Sequence, residues 1–267
     1  MNLKKYTALT KAGILDTLNF RMSTIVVIIG NFVYLTITYF LWKSIYASSG
    51  TDIVNGMTFS DTLIYLVLAT ALFNFMEMFV VWEMGRNIQS GKIVLDLLKP
   101  ISYRRYMFWS LSGSFVMKFF MTFLPTFIVI FFLTNGAIPL GLNLIYFLIS
   151  VIMAALINFS IDFIVGTICL YTESIWGINI MKQVIVLLFS GATVPIAFFP
   201  EPLKTIVYYL PFQSIYNSPL TILLGKSDEM TDITTVLGIQ LIWCIIMITF
   251  SILFWKISLR KITVNGG

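Results

Sequence analysis

Residues 194–213 read VPIAFFPEPLKTIVYYLPFQ. The stretch is apolar enough for a membrane interior, yet it holds four prolines: Pro195, Pro200, Pro202 and Pro211. Inside a helix a proline removes a backbone hydrogen bond and clashes with the preceding turn, at roughly 3 kcal/mol or more. A continuous membrane-crossing helix here is therefore disfavoured. The crossings on either side decide the fold.

The rest of the chain is equally oily. Of its 267 residues 58% are hydrophobic and 11% charged, with a mean hydropathy of +0.93; a soluble domain carries about 25% charged residues. The apolar runs extend along the whole length, so the chain reads as an all-α integral membrane protein. Candidate spans are about Met22 to Trp42, Phe59 to Trp82, Tyr106 to Leu133, Leu142 to Leu170, Trp176 to Ala192, and Ile233 to Trp255. That makes six crossings of about 20 residues each in one domain, 1–267.

Orientation follows from the basic residues in the connections. With the N-terminus inside, twelve lysines and arginines fall on the cytoplasmic side, including Lys4, Lys5, Arg86, Arg104, Arg105 and Lys261. Only Lys43, Lys204 and Lys226 fall outside. Both termini are thus expected in the cytoplasm. The acids Asp52, Asp61, Glu201, Asp228, Glu229 and Asp232 then lie on the outer side. The net charge of +5 reflects this asymmetry rather than nucleic-acid binding.

Several chemistries are excluded. There are no histidines, and the two cysteines, Cys169 and Cys244, lie in separate apolar runs. This removes the commonest metal ligand and general base, and a disulfide or zinc framework is not indicated. Two Gly-Lys pairs are decoys. A phosphate-cradling loop needs a first glycine five residues before Gly-Lys, but Arg86 and Leu220 stand there.

Four segments carry the functional reading. Residues 1–21 form a candidate amphipathic interfacial helix, with Leu3, Tyr6, Leu9, Gly13, Ile14 and Phe20 on one side and Lys4, Lys5 and Lys11 on the other. It could be a membrane anchor or a lever touching a cytosolic partner. Residues 85–105 form the one substantial cytoplasmic loop. Within it KIVLDLL suggests a short helix with aliphatic residues free to dock, and the alternative is a solvated basic loop. The ionisable residues Glu77, Glu83, Lys118, Asp162 and Lys182 fall at membrane depth. Such charges usually face protein or water and pair, so Asp162 is expected to meet Lys118 or Lys182, as structural glue, as part of a gate, or along an ion path. Finally, residues 193–225 are too apolar for a free loop and too broken to cross. They are expected to form a re-entrant hairpin dipping into the outer leaflet, with its backbone covered by protein.

Taken together, these features resemble the permease subunit of type-2 ABC exporters, in the bacterial daunorubicin-type branch. IQSGKIVLDLLKPISY (88–103) is similar to that branch's coupling segment, and SGATVPIAFFPEPLKTIVYYLPFQSIYNSPLTILLG (190–225) to its C-terminal signature. The resemblance implies a non-catalytic permease in a bacterial plasma membrane. A second permease chain, identical or paralogous, would complete the pathway. Two cytosolic ATPase subunits, carrying ATP and Mg, would grip a segment built from Ile88, Gly91, Lys92, Ile93, Leu95, Leu97, Leu98 and Pro100. Pro195, Phe199, Pro200, Pro202, Pro211 and Phe212 would shape the hairpin. No cofactor is implied on this chain. The competing reading is a stand-alone ion-coupled transporter or channel. An intramembrane enzyme lacks its residues: no histidine is present, and Asp162 is the one aspartate deep in a span.

Overall fold

A computed structural model describes residues 3–19, 21–134, 138–139, 141–172, 175–225 and 232–261. Phe20, Lys226, Asp228 and Glu229, which entered the sequence reading, lie outside them. The described chain is almost wholly helical. In order come α1 (Leu3–Asn19), α2 (Arg21–Ser49), α3 (Phe59–Met76), α4 (Val80–Gln89), α5 (Ile93–Leu97), α6 (Tyr103–Lys118), α7 (Leu124–Leu133), α8 (Leu142–Ile168), α9 (Ile175–Phe189), α10 (Glu201–Tyr208), α11 (Asn217–Leu224) and α12 (Ile233–Ser258).

Among the described residues four helical stretches are long and apolar enough to cross a membrane: Phe59–Gln89, Tyr103–Leu133, Leu142–Ile168 and Ile233–Ser258. The expected fifth span is shorter. Helix α9 has 15 residues, about 22 Å at 1.5 Å per residue, against a hydrocarbon core of about 30 Å. Helix α2 has 29 residues.

Two of the expected spans are interrupted. The second leaves helical geometry at Glu77–Phe79 and resumes as α4, with Phe79 at φ 53°. The third passes through a π-helical turn, Phe119–Phe123, between α6 and α7. The proline at the start of α7, Pro125, has no N–H to give to the turn before it, and a single π turn absorbs that mismatch.

Between α2 and α3 stands a two-residue hairpin, β1 (Ile53–Val54) and β2 (Met57–Thr58), paired antiparallel. Its corner is Asn55-Gly56, both at positive φ, the pair a tight type I′ hairpin favours. Thr58 then caps α3 in a reciprocal box with Asp61, satisfying backbone donors that would otherwise be orphaned.

Helix α8 is the central post, buried through much of its inner half from Ala154 to Phe163. Against it lie α4, α9, α11 and α12, and at the centre of the main core Phe123 stacks on Phe147 and meets Phe75 edge-on.

The first helix departs from the expected lipid-facing pose. Tyr6, Leu9, Gly13 and Ile14 do share its less exposed side, but that side rests on α6. Gly13 and Gly113 cross at backbone contact. A Cβ on Gly113 would collide with the Thr10 carbonyl, and one on Gly13 with the Ser110 carbonyl. Thr10 and Ser112 hydroxyls meet at 3.0 Å in the crossing, and Tyr6 packs 5.5 Å from Trp109. Small residues let helix backbones approach this closely.

Candidate functional site

The predicted cytoplasmic loop is an ordered bracket rather than a solvated coil. Helix α4 buries Val80, Val81, Met84 and Gly85. Gly85 faces the Ile175 side chain of α9, and Met84 faces Gly166 of α8. A left-handed turn at Gly91, φ +71°, redirects the chain into α5. Asp96, itself buried, ties α5 down: Asn87 Nδ2 donates to its Oδ2 at 3.1 Å, and Lys99 Nζ to its Oδ1 at 2.7 Å. Burial works to depress the Lys99 ammonium, but hydrogen bonds to Asp96 and Tyr106 outweigh it, and its pKa lies above the ordinary lysine value. A group raised in this way contributes its interaction below the ordinary value and loses it only as pH climbs through the raised one. Lys99 therefore keeps its charge, and its contact to Asp96, across the neutral range.

Anchoring Asp96 sorts the aliphatic residues. Ile93 is 3% exposed and faces the core, and Val94 and Leu97 are half-buried. Leu95 and Leu98 are 65% and 76% exposed. Lys92 and Pro100 are exposed beside them, and Ile88 is half-buried. The buried carboxylate thus holds an apolar pair outward.

The membrane-depth charges include one of the two pairings expected for Asp162. Glu83 sits on the surface of α4, 3.0 Å from Arg86. Asp162 approaches Lys182, not Lys118, at 2.8 Å, without the alignment of a hydrogen bond. Lys118 serves the helix break instead: its Nζ donates to the Glu77 carbonyl at 2.8 Å and lies 4.8 Å from the Phe79 ring. Asn158 Nδ2 donates to the neighbouring Met76 carbonyl at 2.9 Å. At the break the Met76 and Glu77 carbonyls are therefore both bonded by side chains from neighbouring helices, as irregular backbone at this depth favours. Glu77 lies within electrostatic reach of Lys118, Lys182 and Asp162.

Between Thr193 and Gly225 the prolines stand at or near the starts of turns and helices, Pro219 in the first turn of α11. Pro195 precedes a 3₁₀ turn at Ile196–Phe198. Pro200 and Pro202 start α10, where a missing N–H costs nothing, and Pro211 opens the turns that lead to α11. Phe198 packs 4.6 Å from Trp42, Phe212 lies 6.3 Å from Phe189, and Phe199 is half-buried. Gly191, at φ +77°, passes its carbonyl to the Tyr65 hydroxyl at 2.9 Å. Gln240 of α12 bridges Ser150 of α8 and the Ser214 carbonyl.

Compared with known families, residues 32–266 match the model described as ABC-2 family transporter protein. The chain belongs to that family. No curated protein matches it. ABC-2 family membrane proteins are the permease components of type-2 ABC exporters, associated with ATPase subunits in a bilayer. The matched region takes in the broken second span, the α4–α5 bracket and the proline-rich segment; α1 precedes it.

In this ABC-2 permease the polar residues that sequence reasoning passed over are neutral amides. Two cavities of about 300 and 320 Å³ flank α3, and both are lined by Asn31, Thr70 and Asn74. Asn74 Nδ2 donates to the Thr70 carbonyl at 2.8 Å. Their signal was present: an amide inside each of two apolar runs costs free energy unless something bonds it.

Proposed function

We propose that this permease forms the translocation pathway of an ATP-driven exporter together with a second permease chain. Two cytosolic ATPase copies holding ATP and Mg would dock on α5. Leu95 and Leu98 carry this reading, because they are the apolar edge that the Asp96 anchor turns outward. Closure of an ATPase dimer would push α5, then α4, and reach α3 through the satisfied break at Glu77–Phe79. The α1–α6 crossing lies beside the same helix bundle and would move with α6.

The topology is six crossings with cytoplasmic termini. Helix α2 supplies the first, and α9 with residues 190–192 the fifth. The pieces from Pro195 to Gly225 return to the outer side as a re-entrant hairpin. The charge asymmetry supports this, since a seventh crossing would place Lys256, Arg260 and Lys261 outside. The motif of residues 190–225 supports membership of the daunorubicin-type branch, in a bacterial plasma membrane. The cargo is amphipathic: the cavities flanking α3 combine apolar walls with the Asn31, Thr70 and Asn74 groups, and would admit a mostly apolar molecule carrying a few hydrogen-bonding groups.

The ion-coupled alternative draws on Asp162 and Glu77. Asp162 has a cation at 2.8 Å, so it is not a free proton or sodium acceptor in this arrangement.

Proteoliposomes decide between them. With the cognate ATPase and ATP, efflux of an amphipathic dye should exceed the ATP-free rate several-fold. A chain that transports alone under a proton or sodium gradient contradicts the proposal.

A further inference from the structure

A cavity of about 450 Å³ lies between the Asn55–Gly56 hairpin, α10 and α11, apart from the two lined by Asn31, Thr70 and Asn74. Two helices turn polar pairs into it, Lys204 and Tyr208 on α10, Asn217 and Thr221 on α11. Each pair is spaced by four residues and so shares one helix face. Tyr65 of α3 lines the inner end. Its hydroxyl is directed at the Gly191 carbonyl at 2.9 Å and at Asn217 Oδ1 at 3.3 Å. With Oδ1 engaged, Nδ2 is the group that Asn217 offers to the cavity. Asn217 is only 6% exposed, and among the described residues its Nδ2 has no acceptor. A buried donor normally has a partner, so the cavity is where one must come from.

Lys204 adds a positive charge, and among the described residues no carboxylate lines the cavity. The lysine ammonium does meet Glu201 Oε1 at 3.4 Å, but that carboxylate side chain is 83% exposed, one turn earlier on α10. An exposed pair of this kind is weak and occupies one of the three ammonium donors. The cavity therefore presents a cation and an amide donor to its contents, which suits an oxyanion; a lysine binds phosphate as a point charge. Its depth agrees. With Gly85 at the inner boundary, the 20 residues back to Tyr65 cover about 30 Å, the thickness of a hydrocarbon core. Tyr65 then stands at the outer hydrocarbon edge, and the cavity rises from it to the Asn55–Gly56 corner, through the headgroup layer.

We propose that this cavity binds a phosphate ester, with Lys204 and Asn217 donating to its oxygens. The headgroup of an outer-leaflet phospholipid and a soluble phosphate ester share that chemistry. The leaflet rests on the orientation proposed above; the donor set does not.

Two probes on the full-length, delipidated protein test this and separate the sources: phosphatidylglycerol followed by native mass spectrometry, and glycerol phosphate followed by calorimetry. Wild-type protein should retain phosphatidylglycerol at least tenfold better than diglucosyl-diacylglycerol, a lipid without phosphate. Lys204→Gln should weaken phosphate-ester binding at least tenfold, and Glu201→Gln, which removes the competing carboxylate, should tighten it. Lys43→Gln, at another exposed lysine of the outer side, should leave it unchanged, which excludes general attraction to positive charge. Binding of phosphatidylglycerol alone assigns the ester to a lipid headgroup; binding of glycerol phosphate as well shows that the site also takes the ester from solution. Either result supports the phosphate assignment. Equal retention of the two lipids with no calorimetric signal from glycerol phosphate overturns it, and so does undiminished binding by folded Lys204→Gln or an equal loss in Lys43→Gln. The wild-type comparisons stand even if Lys204→Gln folds poorly. None of these readouts uses ATP or a partner, so the exporter reading fails or survives separately.

Discussion

Lys118 and Glu77 meet through a side chain and a backbone: the lysine ammonium donates to the Glu77 carbonyl at 2.8 Å, where the second span loses its helix. Glu77–Phe79 contains neither glycine nor proline, so the break is held by its neighbours, Lys118 and Asn158, rather than by local preference. Replacing Lys118 with Met should leave that carbonyl unbonded. An orphaned buried acceptor costs about 1–3 kcal/mol, which a lowered unfolding temperature in detergent would register. If the break also transmits motion, ATP-driven efflux should fall further than stability alone explains.

Asp162→Asn strands the Lys182 ammonium in a buried setting. Removing one partner of a buried pair costs about 3–5 kcal/mol. Asp162→Asn with Lys182→Met should recover part of that loss, because no charge then lacks a partner. Unfolding temperatures of the two single variants and the double complete the cycle; strict additivity would mean that the 2.8 Å approach carries no energy.

Gly113→Ala tests the seating of α1. The new methyl would strike the Thr10 carbonyl and the Ile14 amide, backbone atoms that cannot rotate aside. Overpacking costs typically about 1–3 kcal/mol, here borne by the α1–α6 crossing. Limited proteolysis should cut within α1 faster in this variant, while Gly30→Ala, which meets no atom within 4 Å, should leave the digestion pattern unchanged.

Leu95→Asp and Leu98→Asp should spare folding, since both side chains already face outward, yet abolish recovery of the ATPase. Ile93→Asp should do the opposite first: a carboxylate forced into a buried site should lower the unfolding temperature before any partner is considered. Paired melting and co-purification measurements separate the two effects.

What the sequence made legible was mostly a matter of composition and breakers. The apolar runs predict α8 and α12 closely, and the prolines signal that no long helix runs through 193–225. The KIVLDLL run does form a short helix, but its sequence does not say which aliphatics face outward; that depends on Asn87 and Lys99 converging on Asp96, a tertiary event. For the same reason the break at Glu77–Phe79 left no trace, because its stabilising donors lie 41 and 82 residues away in the chain. The crossing of Gly13 and Gly113 requires knowing that two distant helices touch. The Asn55-Gly56 hairpin is different: its signal was local and unambiguous, and was overlooked beside the hydropathy pattern.

The docking edge carries the account, and one cross-linking measurement addresses it. In a background with Cys169 and Cys244 replaced by Ser, Leu98→Cys and Tyr209→Cys are compared in cells expressing the ATPase subunit. A short bifunctional thiol reagent should join Leu98→Cys to the ATPase, and Tyr209→Cys should give no such product. Linkage through Tyr209→Cys, or its absence at both Leu95→Cys and Leu98→Cys while the complex still hydrolyses ATP and exports, would contradict the account.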